Sequence, residues 1–581
     1  MDSSLPAALD RLSAGDRALL ELSLRRGIED GEIATLLGRP ADEVRASREE
    51  VLDRLAVEVG SDAPGGADEL AAALAGPHAE AWDGKSDVAE KPPVADRAPR
   101  VERRTQAWVR EAPATALLLL PGGLTAYLGF NAGGFFPDGT AVAAVIVCVA
   151  LVLRVTLADR PAAGLGLLGA LTAGLLGAFA VWTLLSGAWS DAPARALLEF
   201  DRALLYVLTF ALFATLPRST RGLSVMLWGF AGAAAAICLA GLASRVLPDL
   251  VPSASNVANE RLSYPVTYWN TLGMVATLGI LACFHIAAAE RGPKVARILG
   301  AAAVPGLAVT LLFTFSRGAI LVLPVALVVY VVVGRPRGLL SAVLATVPPS
   351  VVALVVAYGA DMLATENPTV ASAAGQANRV ALVTGIAMAV AALIRLALVP
   401  VDARLSAVRV APRTRRALLA GSAAVLVLVA GGASLALDAP AKLERQYDRF
   451  VEGGEVTTGG DARRRLTSAS NNGRLDHWRV ALEVFREDRL KGQGAGTYEN
   501  AWAQERPVQF VVLDAHSLYL ETLADLGIVG LVLLGGALLV LLGGVARRIR
   551  GPDRALYAAI FSMGLAWLVR AGIDWDWEMP V

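Results

Sequence analysis

Charge is scarce in this sequence: Asp, Glu, Lys and Arg make up 18% of 581 residues, against 55% hydrophobic residues and a mean hydropathy of +0.52. Such a composition is too apolar for an ordinary soluble domain and puts a membrane reading first. Net charge is lacking altogether, since 53 basic residues balance 53 acidic ones, so bulk electrostatics select neither an acidic ligand nor nucleic acid. Cysteine is nearly absent. Cys148, Cys238 and Cys283 each fall in apolar runs, where a cysteine serves as a small hydrophobe, so neither a disulfide frame nor a redox compartment is legible. No cleavable leader is expected at the opening residues, because Met1–Gly60 is charged and helix-like and the first run long enough to span begins near Ala114. The first span is expected to double as the targeting signal.

What is present falls into three parts: residues 1–60, 61–112 and 113–581. Residues 13–58 carry apolar side chains at helical spacing, with turn signals at Gly27 and at Gly38-Arg39-Pro40, which predicts a small bundle of about three helices. Within it, EIATLLGRPADEVRASREEVLDRLA resembles the helix-turn-helix of sigma-factor region 4, and that resemblance implies DNA binding. The would-be recognition helix, however, carries Asp42, Glu43, Glu49, Glu50 and Asp53, which phosphates would repel. A cytoplasmic protein partner is therefore expected ahead of nucleic acid. Residues 61–98 are rich in Ala, Gly, Pro and acidic residues and read as a disordered tether. Arg97, Arg100, Arg103, Arg104 and Arg110 then precede the first span and favour an amino terminus held in the cytoplasm.

Apolar runs near 113–131, 139–157, 163–186, 194–216, 223–244, 266–288, 296–315, 318–334, 338–358, 380–400, 416–437, 524–545 and 554–572 predict an all-α polytopic membrane protein of about thirteen transmembrane helices. Threaded alternately, they put inside the turns bearing Arg154 and Arg160, Arg218 and Arg221, Arg291, Lys294 and Arg297, Arg335 and Arg337, Arg404 to Arg416, and Arg547 to Arg554. Every one of these turns is basic, as a cytoplasmic-membrane protein requires. The longest opposite turn, 438–520, joins the eleventh and twelfth runs on the outer face and is where functional residues are expected to gather.

At the end of that outer segment, VVLDAHSLYLETLADLGIVGL runs straight into the twelfth span and places His516 where loop becomes membrane helix. An imidazole there suits proton abstraction from a hydroxyl at neutral pH. A polar interfacial cap is the other reading of the same position.

Several motifs together carry a resemblance. The stretch WTLLSGAWSDAPARALLEFDRALLYVLTF from Trp182, then RLSYPVTYWNTLGMVA, FTFSRGAILVL, GRLDHWRVALEVF with KGQGAGTY, and DAHSLYLETLADLGIVGL resemble, in order and spacing, the O-antigen ligase and polymerase superfamily over roughly residues 115–580. The resemblance implies an all-helical membrane glycosyltransferase. Its donor is a glycan on a polyprenyl pyrophosphate, its acceptor a glycan or lipid hydroxyl, and transfer takes place on the outer face of the cytoplasmic membrane without metal or other cofactor. Ligase and polymerase share these motifs and stay unseparated. In this frame His516 is the catalytic base, and arginines are expected to hold the leaving pyrophosphate, because a planar guanidinium bonds two phosphate oxygens at once and stays charged when partly desolvated.

Three outer-side arginines are candidates. Arg261, in ERLSYPVTYWN before the sixth span, matches a family arginine, with snorkelling as its bland alternative. Arg317 lies in the tight FSRGA turn between two apolar runs, a costly place for a charge without a function. Arg474, in NNGRLDHW, precedes an outer amphipathic helix that also offers Asp476, His477 and Arg479, so a loop salt bridge is its alternative role. Arg202, beside Glu199 and Asp201 in the fourth run, is a lesser candidate.

Two other patterns read as structural. Gly492, Gly494 and Gly496 resemble a phosphate-cradling loop but lack the strand-turn-helix context, so a turn is expected. Asp574-Trp-Asp-Trp-Glu578 resembles a metal-binding DxD, but its alternation with tryptophan at a span end fits an interfacial belt. In the family this motif leads into a further membrane helix, so a final helix beyond Val581 is expected. Two other functional classes fit part of the sequence: a transporter of lipid-linked glycan, and a membrane-anchored regulator acting through the amino-terminal helices.

Overall fold

The computed structural model describes residues 8–9, 11–25, 28–37, 40–59, 66–75, 116–216, 218–253, 258, 260–402, 404, 447, 450–451, 460–467, 470–507 and 511–581. They form helices joined by turns, with no strand among the described residues, and divide into two compact units, Met1–Gln106 and Ala107–Val581.

The first unit contains α1 (Ala14–Leu20), α2 (Asp30–Leu37), α3 (Ala41–Val59) and α4 (Gly66–Ala75). The Ser13 hydroxyl caps α1 by accepting from the Asp16 N–H at 3.1 Å, which satisfies one of the free amides of the first turn. Leu20 of α1, Val51 and Leu55 of α3 and Leu70 and Leu74 of α4 share one buried core. The bundle thus reaches Ala75. Residues 66–75 belong to it rather than to a disordered tether, because Leu70 and Leu74, one helical turn apart, supply the apolar edge that α3 alone leaves uncovered. The rest of the expected tether lies outside the described residues.

The second unit is an all-α polytopic membrane domain. Among the described residues, nine helices are long and apolar enough to cross a bilayer: α6 (Pro137–Leu157), α7 (Leu167–Ser186), α9 (Thr220–Val246), α10 (Trp269–Ala288), α11 (Lys294–Thr314), α12 (Arg317–Gly334), α13 (Leu339–Tyr358), α14 (Ala371–Val401) and α17 (Leu518–Arg548). The first expected span appears as α5 (Ala116–Phe130) over the residues described. The fourth is α8 (Pro193–Ala214), whose first half carries Arg195, Glu199, Asp201 and Arg202 and is too polar to face lipid. The last is α18 (Arg554–Ala571). The run 416–437 lies outside the described residues. Two short helices, α15 (Arg474–Glu487) and α16 (Tyr498–Glu505), precede α17.

Burial is inverted relative to a soluble protein. Leu321, Val325, Val328 and Val332 recur at helical spacing on α12 and are all exposed, as a lipid-facing stripe requires. By contrast α10 is enclosed almost along its whole length by α9, α11, α12, α13 and α18. Small residues permit this: a Cβ at Gly273 would lie 3.0 Å from the Ser316 Cβ, so α10 meets the α11–α12 turn at close range.

That turn is two residues long. Phe315 takes a left-handed φ of 48° after Thr314, and α12 starts at Arg317. The segment preceding α17 is fixed by a break in that helix, where Gly527 has φ 64° and ψ −165°. Lys491–Gly496 docks there: the Gln493 N–H donates to Ala524 O (3.1 Å), Gly494 N–H to Asp525 O (2.8 Å) and Gly496 N–H to the Asp525 carboxylate (2.7 Å). A Cβ at Gly492 would come within 2.4 Å of the Asp525 carbonyl carbon and one at Gly494 within 2.4 Å of Ser190. The glycines therefore allow a close backbone approach that re-satisfies a broken helix.

Candidate active site

The turn and loop geometry brings arginines from four stretches of chain together. Arg261, Arg317 and Arg474, the three outer-side candidates, line one cavity of about 660 Å³ with Arg465, Arg570 and Asp574.

Arg261 is buried beneath the α11–α12 turn. Its Nε donates to Thr314 O (2.9 Å) and its Nη2 to Asn270 Oδ1 (3.1 Å) and Phe315 O (3.4 Å), while the guanidinium lies 4.4 Å from the centre of the Trp269 ring. This is fixation within the protein, unlike the free swing of a snorkelling arginine. Burial, followed by repulsion from Arg465, lowers its pKa. Arg317, the first residue of α12, donates from Nη2 to Ser470 O at 2.8 Å, which ties the stretch before α15 to the turn. Arg474 opens α15 and donates from Nε to Ile573 O (2.7 Å) and from Nη2 to Asp574 Oδ2 (2.9 Å). Its salt bridge is thus to the chain end rather than within its own helix.

Asp574 is the hub. It is fully buried and accepts from the Tyr268 hydroxyl (2.7 Å), Asn270 Nδ2 (2.7 Å), Arg570 Nη2 (2.6 Å), Arg474 and the Trp575 N–H (3.0 Å). Although burial opposes ionisation, Arg570 and Arg474 hold its carboxyl well below the usual carboxylate range. The interfacial-belt expectation for residues 574–578 is corrected here. Asp574, Asp576 and Glu578 are all buried and Trp575 stacks on Tyr268 at 4.3 Å, because arginines inside the bundle pull the carboxylates inward. Sequence reasoning passes over Asp574, Arg465, Arg570 and Asn270. The available signal was Arg570, a charge inside an apolar run.

His516 does not line this cavity but stands beside it. Its φ is 53°, a strained value for a residue with a Cβ. Its ring lies 5.0 Å from that of His477 on α15. His516 Nδ1 is 3.1 Å from Asp514 O; a carbonyl only accepts, so Nδ1 carries the proton and Nε2 keeps a free lone pair. Burial pushes the imidazole down to about 4, with Asp574 opposing and Arg474 reinforcing the shift. His477, edge-on to Trp502 at 4.5 Å, is pushed down to about 3 by burial and by the His516 and Arg474 charges. Both rings are neutral near pH 7, so either can accept a proton.

Arg202 belongs elsewhere. It pairs with Glu199 (2.8 Å) and Glu578 (3.7 Å) and lines a separate cavity of about 600 Å³ with Asp514 and Glu521. The carboxylates of Asp514, Glu521 and Glu578 lie within 4.8 Å of one another and by geometry could hold a cation. Burial, then the Glu521 charge, pushes Asp514 up to about 8, so without an added positive charge this cluster retains protons.

Residues 380–535 match the family model described as O-antigen ligase. The match takes in Arg474, His477 and His516 and leaves Arg261, Arg317, Arg570 and Asp574 outside it. It does not reach the amino-terminal helices, whose helix-turn-helix likeness gains no support from it. No curated protein matches the chain. The chain thus joins a multi-pass helical membrane domain to a segment similar to the O-antigen ligase family.

Proposed function

We propose that this chain is an inverting glycosyltransferase acting on the outer face of the cytoplasmic membrane, with a polyprenyl-pyrophosphate-linked glycan as donor and a glycan or lipid hydroxyl as acceptor. The observation that carries this reading is the gathering of Arg261, Arg317, Arg465, Arg474 and Arg570 around one cavity whose lining contains a single carboxylate, Asp574. That excess of positive charge calls for an anion of more than one negative charge. Leu321 lines the same cavity and is exposed on the lipid-facing stripe of α12, which gives a polyprenyl tail a path from the bilayer to a head held by arginine. The basic turns at the other end of the spans support the outward placement.

In the reaction, the acceptor hydroxyl gives its proton to Nε2 of His516 and its oxygen bonds to the anomeric carbon. The bond from that carbon to the pyrophosphate oxygen breaks, and its electron pair leaves on the lipid pyrophosphate, whose charge the arginines stabilise. One displacement inverts the anomeric configuration.

The experiment is transfer by purified protein in liposomes supplied with lipid-linked donor. A new glycosidic bond of inverted configuration is expected, whereas movement of donor across the bilayer without bond formation would favour a transporter. The glycan lost on gene deletion separates ligase from polymerase. For the amino-terminal bundle a cytoplasmic protein partner is the better reading. Arg48 of α3 is bound to Asp30 at 2.6 Å, which leaves α3 poorer still in charge for phosphates. Retention of residues 1–75 on DNA at physiological salt would overturn it.

A further inference from the structure

A second basic chamber lies at the opposite end of the bundle. Arg317 begins α12 and Arg335 follows its last residue, Gly334, so the two chambers stand about 27 Å apart along an 18-residue helix. The second encloses about 570 Å³ between the start of α9, the α10–α11 turn, the α12–α13 turn and the start of α18.

Its charge is uncompensated. Arg221, Arg291, Arg297, Arg335, Arg337 and Arg554 line it against Glu290 and Asp553. Asp553 accepts from the Thr220 hydroxyl at 2.5 Å, and Arg297 shares Asp402 with Arg395 at 2.6 and 2.7 Å. Arg221, Arg291, Arg335 and Arg337 have no ion-pair partner among the described residues. Arg297 is 6% exposed, and its Nε is a buried donor with no partner. Leu227, Trp228 and Leu556 supply an apolar wall.

Retention of arginines on one membrane face requires only that they occupy the turns on that face. It does not require four separate connections to surround one chamber, nor a buried guanidinium N–H left open beside it. An unpaired buried donor is costly and is ordinarily matched by a ligand or water. A phosphate suits the set, since it accepts from several guanidinium groups at once, and the apolar wall suits a ligand that also carries hydrocarbon.

We propose that this chamber binds the phosphate of an acidic membrane phospholipid, held by Arg221, Arg335, Arg337 and the open N–H of Arg297, with its acyl chains along Leu227, Trp228 and Leu556. The site is separate from the arginine cavity at the other end, and its arginines take no part in transfer.

The test uses the full chain in detergent, loaded with phosphatidylglycerol or phosphatidylcholine and read by native mass spectrometry, with inorganic phosphate as competitor. Preferential retention of phosphatidylglycerol is expected, reduced at least fivefold in R221Q/R335Q/R337Q and, on the unaltered protein, by raised salt. Equal retention of both lipids, or salt-insensitive retention, overturns the proposal. Binding of inorganic phosphate that the triple variant abolishes, without any lipid preference, overturns the lipid source and assigns the chamber to a soluble phosphate compound.

Discussion

Arg474 and Asp574 meet at 2.9 Å, which joins the first turn of α15 to the stretch just past α18. Through this contact α15, residues 573–575 and, by way of Tyr268 and Asn270, the start of α10 converge on one carboxylate.

Replacing Asp574 by Asn leaves Arg474 and Arg570 without their shared counter-charge. Removing one partner of a buried ion pair costs about 3–5 kcal/mol, so D574N is expected to lower the thermal midpoint of the detergent-solubilised protein markedly and to abolish transfer. D574E, which restores the charge, is expected to recover part of the stability.

Arg261 stacks on Trp269 while bonding two backbone carbonyls and Asn270. Lysine keeps the charge but neither the fork nor the stacking. If the fork also meets the leaving group, R261K should lower turnover by about 10²–10³, the loss associated with one preorganised donor. Steady-state transfer rates at saturating donor check this.

The proposed role of His516 as base implies an acid limit on activity. Its base form is lost as pH falls through about 4, so kcat/KM is expected to fall near there rather than near 6.5. A bound pyrophosphate adds negative charge and raises the imidazole pKa, so the corresponding limb of kcat should lie at higher pH. The linkage has a definite sign: unfolded histidine binds its proton near 6.5 and the folded one near 4, so stability is full above 6.5 and is lost as pH drops between these values. Lowering the pH from 7 to 4 should therefore lower the thermal midpoint of wild type more than that of H516N, which lacks this titration.

Gly527 occupies a backbone region open only to glycine, and a Cβ there would sit 2.3 Å from Leu490 O. G527A is expected to cost about 1–3 kcal/mol in backbone strain alone and to undock Lys491–Gly496. Faster limited proteolysis of the outer segment, with the membrane helices intact, is the readout.

Much of the fold is legible in the sequence because a span needs only length and apolarity, and α6, α7, α9 to α14 and α17 meet both conditions. Arg317 announces itself by a charge next to a tight turn between two apolar runs, and Arg261 and Arg474 stand next to motifs of recognisable order. Asp574 is illegible for the opposite reason. Its meaning lies in Tyr268, Asn270 and Arg474, which are about 300, 300 and 100 residues away, while its immediate neighbours, two tryptophans, imitate an interfacial belt. Leu70 and Leu74 are hidden likewise, since one helical turn of apolar contact hardly alters the composition of the polar stretch around it.

The central claim is that His516 is the base of a transfer reaction whose donor is held by the neighbouring arginines. Its most direct measurement compares wild type and H516A in liposomes for both donor binding and glycosidic-bond formation. Unchanged donor affinity with turnover reduced by about 10²–10⁴, the range for loss of a general base, is the predicted result. Undiminished turnover in H516A would contradict it.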